Sequence, residues 1–356
     1  MAAYTAIDDP TVYFRIKLYS GNNNAQNIAW DETDTSMEPA LLWIKSRAGN
    51  TVFSHVLGDD VRGGGIYSHP DTTAVEVSNA NVINTFNSNG FSVGGATFVS
   101  EGSRTYVAWG WKAGTTFSND ASATSVGSID SSGQTSSDSG FSIVSYTGTG
   151  SAGTIAHNLG AVPTVIIQKN RDAVQPWWTY HSAIGAGGQL RLNGTDAEGT
   201  DGGVIWNSTA PTSTVFSVGD NDGANGDDDD CIAYCFYEKQ GFSKFGRKYT
   251  GNGNVDGAFV YTGFTPAIVI IKVTSATSSW EVYDTKRNTF NPTAKAIFPD
   301  GAGAEYDYTD RIDILSNGFK TRVNETGVNT DGGSYVYMAF AEAPLVNSEG
   351  VPANAR

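Results

Sequence analysis

The chain has 356 residues and a formal net charge of −15. That excess of carboxylates disfavours DNA, RNA and anionic lipid as partners, because each is bound chiefly through Lys and Arg. Gly, Ser, Thr, Asn and aromatic residues abound while Leu, Lys and Glu are scarce, which predicts an almost all-β protein of two or three domains.

The N-terminus, Met1–Ala–Ala–Tyr4, lacks a basic region followed by an apolar core. No apolar run approaches membrane-spanning length, so no membrane insertion is expected. A first module, residues 1–113, opens with Val12–Tyr–Phe–Arg–Ile–Lys–Leu–Tyr19, whose alternation suits a half-buried strand. It continues through Tyr19–Ser–Gly21 and Pro39–Ala–Leu–Leu–Trp–Ile–Lys45, and closes on Tyr106–Val–Ala–Trp–Gly–Trp111. Residues 114–139 are rich in Ser, Gly and Thr and read as a linker or surface excursion, with only Phe117, Val126 and Ile129 able to anchor it.

The same pattern then returns twice. Residues 140–240 carry Tyr146–Thr–Gly148, Pro163–Thr–Val–Ile–Ile–Gln–Lys169 and Cys231–Ile–Ala–Tyr–Cys–Phe236. Residues 241–345 carry Tyr249–Thr–Gly251, Pro266–Ala–Ile–Val–Ile–Ile–Lys272 and Tyr335–Val–Tyr–Met–Ala–Phe340, and a tail spans 346–356. The closing segments start 61, 62 and 63 residues after their lysines, a regularity that marks a true repeat. Asn89–Gly–Phe91 matches Asn317–Gly–Phe319, whereas the second copy keeps only Phe216, so the middle module has drifted furthest. The expected fold is all-β, three tandem related β-sandwich modules of jelly-roll-like type. Ile268–Val–Ile–Ile271 lacks alternation, so both faces of that strand should be covered, with Pro39, Pro163 and Pro266 at the first strand position.

Catalytic signatures are missing. There is no Walker A, zincin or nucleophile-elbow pattern, and His55, His69, His157 and His181 show no zinc-ligand spacing. The expectation is a non-enzymatic protein with no catalytic residue and no cofactor. Within Asp220 to Asp230, Asp220, Asp222, Asn225 and Asp227 form a weak calcium candidate, but Cys231 stands where a bidentate glutamate belongs, and a solvated acidic turn is the better reading. Trp177, Tyr180, His181 and Trp206 are the candidate glycan contacts, since flat aromatic faces stack on sugar rings. Trp178 aligns approximately with Trp280 as a core position, which sends its neighbour Trp177 to the opposite face. Cys231 and Cys235 lie about 13 Å apart along one strand, too far for a disulfide, and read as buried thiols of a reducing cytoplasm.

Pro266 to Lys272, Trp280–Glu–Val–Tyr–Asp284–Thr–Lys–Arg287–Asn288, Leu315–Ser–Asn–Gly–Phe319, Tyr335 to Glu342 and Gly350–Val–Pro–Ala–Asn–Ala–Arg356 resemble a domain of unknown function recurrent in marine tailed bacteriophages. The first module, with Leu42–Trp–Ile–Lys45, Val61–Arg–Gly63 and Tyr106 to Lys112, resembles its partner in the same proteins. The resemblance implies a virion surface protein made in the host cytoplasm, a tail fibre or receptor-binding component. Its implied partners are other tail or capsid proteins and a host-surface glycan or protein, with a homo-oligomer, in particular a trimer, by analogy with fibres. The short chain equally suits a capsid decoration. A polysaccharide depolymerase is a third reading and would need two carboxylates across a cleft, drawn from Asp201, Asp220 and Asp284.

Overall fold

The computed structural model of the protein describes residues 4–49, 52–246 and 248–352. The repeat seen in the sequence becomes one strand order used three times: an opening strand, the closing strand, the strand after the proline, and that strand's hairpin partner. In the first module these are Phe14–Ser20, Thr105–Trp111, Leu41–Ser46 and Val56–Asp59; in the second, Phe141–Thr147, Asp230–Phe236, Val165–Asn170 and Trp178–His181. In the third, Ser243–Lys244 and Tyr249–Thr250 share the opening place beside Ser334–Pro344, followed by Phe264–Val273 and Glu281–Asp284. A smaller antiparallel sheet covers one face of each: Gln26–Ala29 with Gly90–Val93 and Ile83–Asn87, then Gly153–Ala156 with Val215–Val218, then Phe259–Tyr261 with Gly318–Thr321, Tyr306–Leu315 and Thr293–Ala296. The protein is an all-β assembly of sandwich-type layers.

The other face of each main sheet is apolar too, and this decides how the modules sit. Along Phe264–Val273, Val269 and Ile271 point into the third module's own core while Ile268 and Ile270 point away from it. Leu42 and Ile44 divide from Leu41 and Trp43 in the same way, as Ile166 does from Val165 and Ile167. The second set from all three sheets forms a single shared core. Strand pairing places Trp111, Phe236 and Phe340 opposite Leu41, Val165 and Ile268, at equivalent positions of the three closing strands. Their rings meet edge to face at 6.5, 5.6 and 5.9 Å, a triangle on the pseudo-threefold axis. The centre is closed. The cavity there, lined by Leu41, Trp43, Ile167, Tyr234, Ile270 and Met338 among others, holds about 20 Å³.

The second module's sheet also takes in Ser131–Ser136 and Thr115–Asn119 beyond its opening strand. Residues 114–139 are therefore not a connector, which corrects the linker reading. Ile129 is buried and Phe117 packs partly against the second core, so two of the three anchors act as such. The prolines differ from expectation in detail: Pro39 and Pro163 precede their strands, and Pro266 lies within its strand at a register shift. Of the tail, residues 353–356 lie outside the described residues.

Each module pins the loop after its opening strand with the same device. The hydroxyls of Tyr19, Tyr146 and Tyr249 donate to the carbonyls of Val99, Ala224 and Val328. The next residue, Ser100, Asn225 or Asn329, is fully buried and binds the loop backbone at Asn24, Ser151 or Asn254.

Phe340 also packs on Phe14, Phe242 and Phe245. Phe340→Ala should cost about 3–5 kcal/mol and shift one cooperative transition followed by fluorescence and circular dichroism. Independent modules would instead show a second transition left in place.

Candidate functional site

Two buried arginine–carboxylate networks lie in the seams between modules. At the first seam, Arg62 donates to Asp59 at 2.7 Å and to Glu76 at 2.8 Å, all from the first module. The second module adds Arg171, whose Nε meets Glu76 at 2.7 Å, and Tyr234, whose hydroxyl donates to Asp59 at 2.8 Å. The seam between the first and third modules repeats this. Arg287 donates to Asp284 at 2.5 Å and Glu305 at 3.3 Å, while Arg47 reaches Glu305 at 3.0 Å and the Trp109 ring N–H reaches Asp284 at 3.1 Å. Arg62, Asp59, Arg287 and Asp284 are 0 or 1% exposed, so these are charges whose pairing is obligatory.

The third seam keeps the backbone contact and loses the network. The amide of Glu198 donates to the Thr274 carbonyl at 2.8 Å, as Glu76 does to Arg171 and Glu305 to Arg47. His181, Ile184 and Met338 stand where the first seam has Asp59, Arg62 and Tyr234, and Glu198 pairs instead with Lys248. A surface cavity of about 620 Å³ opens beside this seam, lined by Thr164, Ser182, Ala183, Glu238, Lys244, Gly246 and Lys248. Its lysines are taken up by carboxylates, Lys244 by Glu238 and Lys248 by Glu198.

Two of the three repeat lysines bond across the same seams. Lys45 Nζ donates to the carbonyl of Ala302 in the third module at 2.8 Å, and Lys272 Nζ to that of Thr195 in the second at 2.9 Å. Lys169 binds Ala173 at 3.0 Å within its own module. Burial lowers each ammonium to about 8.

The predicted sugar contacts are all interior. Trp177, Tyr180, His181 and Trp206 are 0, 4, 3 and 2% exposed, so they offer no face to a glycan. Strand register explains Trp177: it precedes the residue paired with Gln168, as Trp280 precedes the partner of Ile271 and His55 the partner of Ile44. Trp177, and not Trp178, is the equivalent of Trp280. The two indole N–H groups and the His55 Nε2 each bond a carbonyl of another module, His69, Arg191 and Phe298, at 2.9–3.0 Å. His55 Nδ1 accepts from Trp43, and His157 and His181 Nδ1 accept backbone N–H groups of Leu159 and Ala183. Burial holds all three imidazoles below their ordinary value, His157 and His181 to about 4, so they are neutral structural acceptors at physiological pH.

The calcium candidates do not converge. Asn225 is buried with its amide spent on Thr149, Ser151 and Gly219, while Asp220 and Asp227 are exposed. Among the described residues no cluster of three His, Cys, Asp or Glu could hold a metal. The depolymerase carboxylates are equally dispersed: Asp284 is sealed in a seam, and Asp201 binds the turn amides of Gly203 and Ile205. Cys231 and Cys235 are free and buried, and burial pushes the Cys231 thiol up to about 12. Residue-by-residue reading missed the arginine–carboxylate networks. Their signal was present, since Asp59 and Arg62 recur as Asp284 and Arg287 at the end of the same hairpin.

The family model of a domain of unknown function, DUF7483, matches residues 9–344, a span that takes in all three modules and the shared core. No curated protein and no solved structure matches.

Arg287→Ala leaves Asp284 without its buried cation and should cost about 3–5 kcal/mol. Arg191→Ala, which removes an exposed pair with Asp196, should cost less than about 1 kcal/mol; urea midpoints separate the two. Burial raises the Glu76 carboxyl, but Arg171 and Arg62 outweigh it and hold the group below its ordinary value of 4.5. A depressed folded value means stabilisation that is full above the unfolded value and lost as pH falls through the folded one. Glu76→Gln should therefore lower the melting temperature at pH 7, by on the order of 2 kcal/mol in stability, and the gap from the parent should close below pH ~4.

Proposed function

We propose, from the premise that the chain belongs to the DUF7483 family of domains of unknown function, that it is a non-enzymatic virion structural protein, a tail-fibre-like component displayed on the particle surface for host adhesion. The observation that carries this reading is the aromatic triangle of Trp111, Phe236 and Phe340, which joins three sandwiches into one body around a closed axis. By analogy with trimeric fibres, a single chain here supplies three equivalent sandwiches without assembly. Trp177, Trp280, His55 and the buried arginines are spent on holding the modules together, which is the economy of a structural part. The acidic surface keeps many closely spaced copies soluble. The resemblance to phage surface proteins supplies the setting, with tail proteins and a host-surface glycan or protein as the partners.

A quantitative gel of purified particles, combined with labelled-antibody imaging, tests the reading. A few to a few tens of copies at the tail vertex are expected. Hundreds of copies over the head would replace adhesion by capsid decoration, and absence from particles would end the virion reading altogether.

A further inference from the structure

The small sheets of the second and third modules begin with equivalent strands, Gly153–Ala156 and Phe259–Tyr261, each paired on one side only by a strand of its own sheet. Ile155 pairs with Phe216 and Val260 with Phe319, so Thr154 corresponds to Phe259 and Ala156 to Tyr261. The flanking bonds His157 N–H to Thr214 and Thr262 N–H to Asn317 set the same phase in both sheets. In that phase the backbone groups of Thr154, Phe259 and Tyr261 face away from their partner strands.

The second module covers this edge with its own chain. Residues preceding its opening strand run alongside Gly153–Ala156 in parallel, with a bridge between Ile129 and Ile155. The Ser128 and Ile129 N–H groups donate to the Thr154 carbonyl at 2.8 and 3.1 Å, the Thr154 N–H donates to the Ser128 hydroxyl at 2.9 Å, and the Ser131 hydroxyl donates to the Ala156 carbonyl at 2.9 Å. In the third module no described backbone segment makes these bonds; the Tyr4 hydroxyl donates to the Gly263 carbonyl at 2.8 Å and lies 3.3 Å from the Tyr261 hydroxyl, which occupies the far end of the edge and leaves Phe259 open. Phe259 and Tyr261 are 48 and 52% exposed, side by side on the outer face. The strand is short, three residues, but its sequence Phe–Val–Tyr holds neither proline nor charge to block an added strand.

We propose that the outer edge of Phe259–Tyr261 is a strand-addition site for an extended, uncharged or weakly charged polypeptide segment of a partner protein, running parallel as residues 128–131 do in the second module. The carbonyl and amide of Phe259 take the place of those of Thr154, and the two rings pack on alternate side chains of the incoming segment. The edge in the first module has the same phase but presents Asn27 and Ala29, which give an added strand backbone bonds without aromatic contact. This inference stands apart from the virion reading, since it needs only the internal precedent.

The test uses the full chain and a blocked synthetic peptide with the sequence of residues 126–132. Hydrogen exchange at the Phe259 amide, followed by NMR with millimolar peptide, should slow by about 10-fold or more. Phe259→Pro removes an amide that bonds nothing within the sheet, so the melting temperature should hold while peptide affinity falls by about 10-fold or more. Unchanged exchange at Phe259, protection confined to other strands, or equal binding by a folded Phe259→Pro protein would each overturn the proposal. Protection that grows with protein concentration alone would also overturn it, in favour of a second copy as occupant. Should the variant fail to fold, exchange in the unaltered protein still decides.

Discussion

A sheet with two apolar faces cannot be satisfied by one sandwich, and this constraint organises the protein. Each main sheet buries one face under its own small sheet and must find cover for the other. Three such sheets solve the problem together by turning their second faces inward, where Trp111, Phe236 and Phe340 meet. Association is intramolecular, so the entropy of bringing three bodies together is met by the chain connections rather than by concentration. The modules are tandem in sequence but cyclic in space.

The seams give this arrangement its direction. Buried ion pairs cost about as much to desolvate as they return, so their net contribution to stability is modest, while a mismatched arrangement leaves a charge unpaired and is strongly disfavoured. Arg62 with Glu76 and Arg171, and Arg287 with Glu305 and Arg47, therefore specify which module edge meets which. The third seam manages with His181, Ile184 and Met338, an apolar solution at the place where the middle module has drifted from the others. Two charged seams suffice to orient three modules, which leaves the third free to change.

One residue of register decides where the candidate aromatic lies. Aligning Trp178 with Trp280 placed Trp177 on the opposite face, as a solvent ring; the observed pairing equates Trp177 with Trp280 and puts both indoles in seams. Successive strand residues point to opposite faces, so a slip of one position inverts inside and outside for a whole strand. Histidines and aspartates depend on distant cover in a related way. Whether His181 or Asp284 is a reactive group or a sealed structural one depends on what covers it from another module, and that cover lies roughly 50 to 175 residues away in sequence.

From its residues alone the chain determined its β character, its threefold repeat, the matching strands within each copy and the two-sided burial of the strand after each proline, because these rest on local propensity and on spacing. Only the tertiary structure decided that the uncovered faces close on one another around an axis, that residues 114–139 add strands to the second sheet, and that the Trp177 and Trp280 indoles lie in seams. Those outcomes follow from pairing between distant segments, in which geometry selects among partners that local sequence leaves equivalent.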